Sequence, residues 1–376
     1  MKSLLRATVQ TRAGNLPVTT ERTGSLPAEG ADDAEIAKVA ESLKVHIRIV
    51  GCGGGGSNTV DRCVEAGILE TDLCAINTDA RHLLSVRAPR KILIGRRATR
   101  GLGAGDRPEI GEEAARENQE ELQRYVQGAH IVFVTAGMGG GTGTGAAPLV
   151  ARLAKEAGAL AIGVVTMPFS GEGPVRMQVA REGLERLRRT CDTTVVIQND
   201  RVRDLVPRMP VQTAFKLADT VLMTTIKGIA EIVTQPGLVN LDYADLLTIM
   251  KDRGVAFVGL GESSSGPDRV TEAITGALTS PLLGDMDLHA ATGVLVRVTG
   301  GPTMTVSEAE KAARIVGAKV SPRARILWGC SVDPSPEMAQ TIRVLLIITG
   351  VTAASLLGSD AAPGTGEAHE GIDFVR

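Results

Sequence analysis

The sequence is poor in aromatic residues, which make up 2% of its 376 positions: one Trp, two Tyr and five Phe. A surface that holds single-stranded nucleic acid stacks bases on rings, and this chain has too few rings to build one. Charge of one sign is also missing, with 41 Lys and Arg against 43 Asp and Glu, so the basic face of a nucleic-acid binder is absent as well. Cysteine is scarce and unpatterned. Cys52, Cys63, Cys74, Cys191 and Cys330 form no CxxC and no metal-type spacing, and their odd number suits reduced thiols in a cytoplasm. No apolar run reaches the roughly 20 residues of a membrane span. The most apolar stretch, Val344 to Leu357, is interrupted by Thr349, Gly350, Thr352 and Ser355, and the start has no apolar core of a signal peptide. The expectation is a cytoplasmic protein that neither binds nucleic acid nor inserts directly into membrane.

Glycine, by contrast, is abundant, with 44 residues, and much of it is clustered. Clustered glycine marks backbone that turns tightly or approaches a ligand closely. Residues 1–32 are polar and aperiodic and read as an arm, and Asp33 to Leu43 as a short amphipathic helix. Strands are expected at His46–Val50, Asp72–Asn77, Ile92–Ile94, Ile131–Thr135, Leu160–Thr166 and Thr193–Ile197. Helices at Ser57–Ala66, Ile110–Val126, Thr144–Glu156 and Pro174–Arg188 lie between them. Alternation at this spacing implies an α/β, doubly wound, mostly parallel sheet over residues 33–211. A long helix over 212–235 follows, with Phe215, Leu222, Ile226, Ile229 and Val233 at helical intervals. Gln235-Pro-Gly237 stops it. A second α/β unit fills 236–350, with strands near Val255–Leu260, Thr292–Thr299, Ala324–Trp328 and Thr341–Thr349, and helices near Arg269–Leu278 and Val306–Val316. Residues 351–376 read as a tail.

Two glycine loops carry the chemistry. Gly51-Cys-Gly-Gly-Gly-Gly-Ser-Asn58 follows a strand and opens a helix, where free N–H groups and the helix dipole suit a phosphate. Taken alone it also matches the dinucleotide fingerprint, with Asp79 about 20 residues on at the end of the second strand. A nicotinamide-dependent oxidoreductase is therefore a rival, and a tight turn without ligand is the plainer alternative. The second loop, Ala136-Gly-Met-Gly-Gly-Gly-Thr-Gly-Thr-Gly145, also lies between strand and helix. A dinucleotide enzyme has no evident need for two such loops, whereas a nucleoside triphosphate has three phosphates to hold. No GxxxxGK[ST] occurs, so the chain is not a P-loop NTPase.

GGGTGTG at 139–145 is the motif of the tubulin/FtsZ family, and GCGGGGSN at 51–58 resembles the first phosphate loop of FtsZ proteins. NTDA at 77–80, RGLGAGDRPEIG at 100–111, MPFSGEG at 167–173, QND at 198–200, AFKLAD at 214–219 and PGLVNLDYADLLTIM at 236–250 continue the match. It runs over roughly residues 45–350 and is most like the archaeal members. The resemblance implies a GTP-binding domain, a central helix and a C-terminal GTPase-activating domain, with GTP or GDP and Mg²⁺ as cofactors. It implies phosphates on Gly54, Gly55, Gly56, Ser57, Asn58, Gly141, Thr142 and Gly143, with Ala104 and Gly105 closing over the terminal one. Asn77 and Asp79 join the nucleotide set through the NTDA match. Glu172 and Arg176 fall on the ribose side, and Asn199, Phe215 and Asp219 at the guanine. Phe215 and Asp219 are one helical turn apart and share a face; core packing and a solvated helix face are their plainer roles. No residues are assigned to hold a metal.

The phosphate loops contain donors but no base. Asn240-Leu-Asp242-Tyr-Ala-Asp245 begins a helix with both carboxylates on one side of its first turn. An N-cap and a dipole-favoured acid explain such a pair equally well. The resemblance makes this stretch the loop that enters the next subunit's nucleotide site, with Asn240, Asp242 and Asp245 catalytic and the chain its own partner in a head-to-tail protofilament. It implies a division ring at mid-cell. Gln198 and Ser170-Gly171 depart from the family pattern beside the ribose and base. The ending Gly371-Ile-Asp-Phe-Val-Arg376 suits a peptide for a membrane-tethering, SepF-like adaptor through Ile372, Phe374 and Val375, or a frayed terminus. A filament protein that binds GTP but hydrolyses little is the other reading from a different class.

Overall fold

The computed structural model of the chain describes residues 44–68, 71–205, 210–234, 242–264, 268–284 and 286–351. The expected arm, the helix Asp33–Leu43, Asn240 and the adaptor peptide lie outside the described residues. The first half runs β1 (Ile47–Cys52), α1 (Gly53–Glu65), β2 (Thr71–Asn77), α2 (Ala80–Ser85), β3 (Arg90–Leu93), α3 (Arg96–Thr99), α4 (Pro108–Glu117) and α5 (Gln119–Val126). It continues with β4 (Ile131–Gly137), α6 (Gly141–Glu156), β5 (Leu160–Met167), α7 (Pro174–Thr190), β6 (Thr193–Gln198) and α8 (Asn199–Leu205). Helix α9 (Val211–Thr234) leads to α10 (Tyr243–Met250), β7 (Gly254–Ser263), α11 (Arg269–Leu278), β8 (Gly293–Gly300), α12 (Val306–Gly317), β9 (Arg325–Val332) and β10 (Ile342–Thr349).

Ten strands form one sheet in the order β3-β2-β1-β4-β5-β6-β7-β10-β8-β9. Every pairing from β3 to β7 is parallel, and β10 lies antiparallel between β7 and β8. The strands of the first half are apolar runs, such as Ile-Val-Phe-Val in β4, because a parallel strand is covered on both faces. Side chains alternate between those faces. Ile47, Ile49, Ile131 and Phe133 pack with α1 and α9, while Val50, Cys52, Val132 and Val134 pack with α4 to α7. The two expected α/β units are thus hydrogen-bonded into a single sheet, since β6 pairs with β7 over Thr193–Val195.

Helix α9, at 24 residues and 1.5 Å per residue, spans about 36 Å and lies under both halves of that sheet. Its buried stripe includes Leu217, Val221, Leu222, Ile226 and Ile229. At Gly228 an added Cβ would come within 2.2 Å of Leu345 Cδ2, so glycine lets β10 press directly on the helix.

Two local differences from the expected elements have physical causes. The segment expected as one helix over Ile110–Val126 breaks at Asn118, whose side chain accepts from Gly95 N at 3.0 Å and donates to Glu121 at 3.3 Å. Such side-chain bonds compete with the helix ladder. Helices α1 and α6 begin at Gly53 and Gly141 rather than near Ser57 and Thr144. The glycines are therefore the first helical turn itself, where N–H groups have no intrahelical acceptor.

Candidate functional site

From β1 the chain winds outward through β2 and β3, then returns to β4 on the other side of β1. In such sheets ligands bind beyond the carboxyl ends of the strands where the order reverses. The two strands at that point, β1 and β4, are the ones that run into the glycine loops.

The loops are fitted against each other by the absence of side chains. A Cβ at Gly53, where φ is +69°, would lie 2.7 Å from Gly143 N; one at Gly55 would lie 3.0 Å from Gly137 N, and one at Gly56 2.3 Å from Thr135 O. Gly54 alone in this group has nothing within 4 Å of its Cβ position and is exposed, as is Asn58. Ser57 is buried, and its Oγ has no hydrogen-bond partner among the described residues. The first turn of α1 thus presents backbone donors, an open face at Gly54 and an unsatisfied hydroxyl, which is the chemistry of an anion cradle.

The second loop is braced from three sides. Gly139 N donates to Thr144 Oγ1 at 2.9 Å, and Gly141 N donates to Gly105 O at 2.7 Å. The Thr142 and Thr78 hydroxyls lie 2.6 Å apart. Ala104 and Gly105 are therefore held against Gly141, at which a Cβ would be 2.8 Å and 2.6 Å from their carbonyl oxygens. The N–H of Gly141 is thereby spoken for. Asn77 and Asp79 come to the same corner, but their polar atoms are engaged locally. Asn77 Oδ1 accepts from Asp79 N at 3.2 Å, and Asp79 caps α2 by accepting from Arg81 N and His82 N at 2.9 and 3.0 Å. In this geometry they shape the turn beside the loops.

On the other flank, Glu172 accepts from Phe169 N at 2.8 Å and pairs with Arg176 at 2.9 Å. Arg176 also reaches Asp106 at 3.3 Å, and Nη2 stands 3.9 Å from the Cβ position of Gly140. Asp106 was not singled out in the sequence; its place in the 100–111 motif was the available signal. Asn199 opens α8, and Phe215 and Asp219 lie one turn apart on α9. Asn199 is 5% exposed and its Oδ1 has no partner among the described residues. Phe215 is 42% exposed and meets Phe169 edge to face at 4.9 Å. Phe169 is a further aromatic that spacing alone did not reveal, since it sits in a turn without periodicity. The Asp219 carboxyl has no hydrogen-bond or ion-pair partner among the described residues, and burial, opposed weakly by Arg62, pushes it up to about 7. A half-buried flat ring and a carboxyl on α9, and an amide oxygen on the packed helix α8, carry the chemistry to receive a flat heterocycle bearing N–H donors.

Asp242 and Asp245 are elsewhere. Asp242 is the N-cap of α10, its side chain accepting from Asp245 N at 2.7 Å. The Asp245 carboxylate has no partner among the described residues and is partly exposed. Tyr243, between them, bonds His130 O at 3.0 Å, and His130 immediately precedes β4. From His130 to Gly137 are seven steps of about 3.3 Å, so the acids and the phosphate loops are separated by something on the order of 20 Å along β4. The structure sets the two glycine loops against each other with Ala104 and Gly105 tied to Gly141, places Arg176 with its partner Glu172 beside Gly140, seats Phe215 against Phe169, and leaves Asp242 and Asp245 at the opposite edge of the sheet.

Comparison with known proteins bears on this arrangement. Residues 46–207 match the GTPase domain of the Tubulin/FtsZ family, and residues 254–352 match the C-terminal domain of the FtsZ family. The chain is 52% identical over 358 residues to cell division protein FtsZ 1 of Archaeoglobus fulgidus, covering 95% of this chain and 96% of that protein. It is 47% identical to cell division protein FtsZ 1 of Pyrococcus abyssi, covering 89% of each. A solved FtsZ dimer from M. jannaschii superposes with a TM-score of 0.81 at 48% identity, over 86% of this chain and 93% of that one.

Proposed function

The chain belongs to the tubulin/FtsZ family and is a cell-division GTPase of the FtsZ kind, and from that premise we propose that it assembles head to tail and hydrolyses GTP between successive subunits. The observation that carries this reading is the separation of Asp242 and Asp245 from the phosphate loops across the length of β4. One chain cannot bring both to one water molecule. A second copy stacked on the carboxyl edge of the sheet would set its own acids over the first copy's phosphates. That a solved relative is a dimer supports self-association.

In this arrangement the phosphates lie on the first turns of α1 and α6, with Gly54, Gly55, Gly56, Ser57 and Asn58 on one side and Gly141, Thr142 and Gly143 on the other. Ala104 and Gly105, tied to Gly141, close the terminal end, and Asn77 and Asp79 shape the adjoining turn. Glu172 faces the ribose hydroxyls, and the Arg176 guanidinium beside Gly140 neutralises charge. Phe215 stacks on guanine, Asp219 accepts from its N1–H and amino group, and Asn199 completes its edge. Adenine lacks that pair of donors and is rejected.

Among the described residues no group of three His, Cys, Asp or Glu side chains is placed to hold a metal ion. Mg²⁺ would be carried mainly by phosphate oxygens and water, which is how this ion commonly binds with nucleotides. When bound it supplies charge neutralisation at the phosphates. Asp245, whose carboxylate has no partner among the described residues, polarises the attacking water; Asp242, with one oxygen committed to its cap, orients the turn; Asn240 flanks them. Hydrolysis leaves GDP at a weakened contact, so filament turnover follows from the chemistry. A polymer of this kind would act in a ring at mid-cell, tethered by a SepF-like adaptor through the terminal residues Ile372, Phe374 and Val375.

The test is GTP turnover per subunit as protein concentration rises, with ATP as control. A threshold followed by a steep rise, for GTP only, is the expected outcome. Asp245→Ala should bind GTP normally, lose most turnover, and recover part of it when mixed with a phosphate-loop variant. A concentration-independent rate, or no recovery in the mixture, would count decisively against a shared site.

A further inference from the structure

We propose that Tyr243 and Thr193 are positioning residues for hydrolysis, clamping the two ends of α10 onto the amino-terminal edge of the nucleotide-binding strands. The inference rests on the shared-site reading and adds to it what holds the acids in place. Helix α10 has eight residues, too few to be stable by itself, so its direction is set by what it is fastened to.

At its first turn the Tyr243 hydroxyl donates to His130 O at 3.0 Å, and the same carbonyl accepts from Leu160 N at 2.9 Å. Both lone pairs of that oxygen are therefore used, one by β5 and one by the helix. The Tyr243 ring meets the His130 ring edge-on at 5.8 Å, and His130 stacks on His46 at 5.5 Å. His130 Nδ1 accepts from His46 N at 2.9 Å, which fixes the ring against which Tyr243 rests. The seat is built from the beginnings of β1, β4 and β5.

At the other end the Thr193 hydroxyl, fully buried at the start of β6, donates to Met250 O, the last residue of α10. The chain leaving the helix is held at the same place, with Arg253 N and Gly254 N donating to Asp192 O at 2.8 and 3.2 Å. Leu246, Ile249 and Met250 bury the face between the two anchors.

Neither anchor is near the nucleotide loops, yet both sit on strands whose far ends lead to residues assigned to the nucleotide. β4 runs from the Tyr243 seat to Gly137, and β6 runs from Thr193 to Gln198, where Asn199 opens α8. The clamp therefore fixes how far, and in which direction, the acids project from the sheet that binds this subunit's own nucleotide. A water shared with a neighbour's phosphate tolerates little error, since a displacement of about 1 Å can lower a rate by roughly a hundredfold. Loosening the clamp should strike turnover and leave GTP binding alone.

The test uses the full chain with Tyr243→Phe, Thr193→Val and Thr193→Ser. Losing one hydrogen bond that fixes an end of α10 predicts a fall in turnover of about tenfold for Tyr243→Phe and Thr193→Val, with GTP affinity and the assembly threshold on a non-hydrolysable analogue unchanged. Thr193→Ser keeps the hydroxyl and should stay near the parent. Mixing Tyr243→Phe with Asp219→Ala, which carries an intact α10, should restore turnover at the mixed contacts. Unchanged turnover in both hydroxyl-deleting variants overturns the proposal. So does a loss that tracks GTP affinity or assembly, which would mark a merely structural role. Asp245→Ala runs alongside: if it retains full turnover, the shared-site reading itself falls, whatever Tyr243→Phe does.

Discussion

Asp219 offers the sharpest link between the structure and a measurement. Its carboxyl is half-buried with no partner among the described residues, and desolvation raises it from the ordinary 3.8 to about 7. To accept from guanine N1–H and the amino group it must be ionised. At pH 6, one unit below that value, about one molecule in eleven carries the charge; at pH 8 about ten in eleven do. The dissociation constant for GDP, chosen so that neither assembly nor hydrolysis intervenes, should therefore fall about tenfold between pH 6 and pH 8, or roughly 1.4 kcal/mol. The terminal phosphate also titrates near pH 6, and Asp219→Asn removes that ambiguity. The phosphate contribution remains in the variant, so the Asp219 contribution is the difference between the two calorimetric profiles. Superimposable profiles would refute the assignment. Stability of the empty protein should move the opposite way. A carboxyl raised on folding favours the protonated fold, and that contribution is present below about pH 4 and lost as pH rises through about 7. Asp219→Asn should therefore melt above the parent at pH 8, with the gap closing toward pH 4.

The glycine loops predict a contrast between neighbours. Gly53→Ala puts a Cβ 2.7 Å from Gly143 N at a φ of +69° and should abolish GTP binding with a lowered melting temperature. Gly54→Ala, with nothing within 4 Å, should melt like the parent yet bind GTP more weakly, because its open face is where phosphate sits; equal affinity would remove Gly54 from the cradle. In the central helix, Ile226→Ala, at a fully buried position between the two halves of the sheet, should cost about 2–5 kcal/mol in urea unfolding.

The nucleotide edge of the sheet was readable because its signal is local. A glycine cluster between an apolar strand and a helix identifies itself, and Phe215 and Asp219 share a helical face by spacing alone. What escaped was set by contacts distant in sequence. That Asp106 meets Arg176 across 70 residues and that Phe169 turns its edge to Phe215 are consequences of where separate loops end. The joining of β6 to β7 was hidden for the same reason, since a three-residue register leaves no periodic mark. The early start of α1 and α6 defeated propensity, because glycine disfavours helices except where the packing of two loops admits no Cβ.

The parallel sheet itself gives a reason for the division of labour between its edges. Every strand from β1 to β6 points the same way, so the carboxyl edge collects helix N-termini and their unsatisfied donors, and anions are welcome there. The amino edge collects the ends of β-αβ crossovers, where no such field draws a phosphate. Acids placed among the glycine loops would repel the triphosphate in the ground state as strongly as they would help polarise water. Keeping Asp242 and Asp245 at the amino edge avoids that repulsion until a neighbour arrives. A contact between unlike edges is heterologous, and unless its rotation closes it continues as a filament. On the proposed reading, separation of acid from phosphate and growth of the polymer are one geometric fact. A variant with an acid transplanted into the first glycine loop, Asn58→Asp, is therefore expected to bind GTP less tightly without gaining turnover below the assembly threshold. Turnover by the dilute variant would show that separation is not what makes assembly necessary.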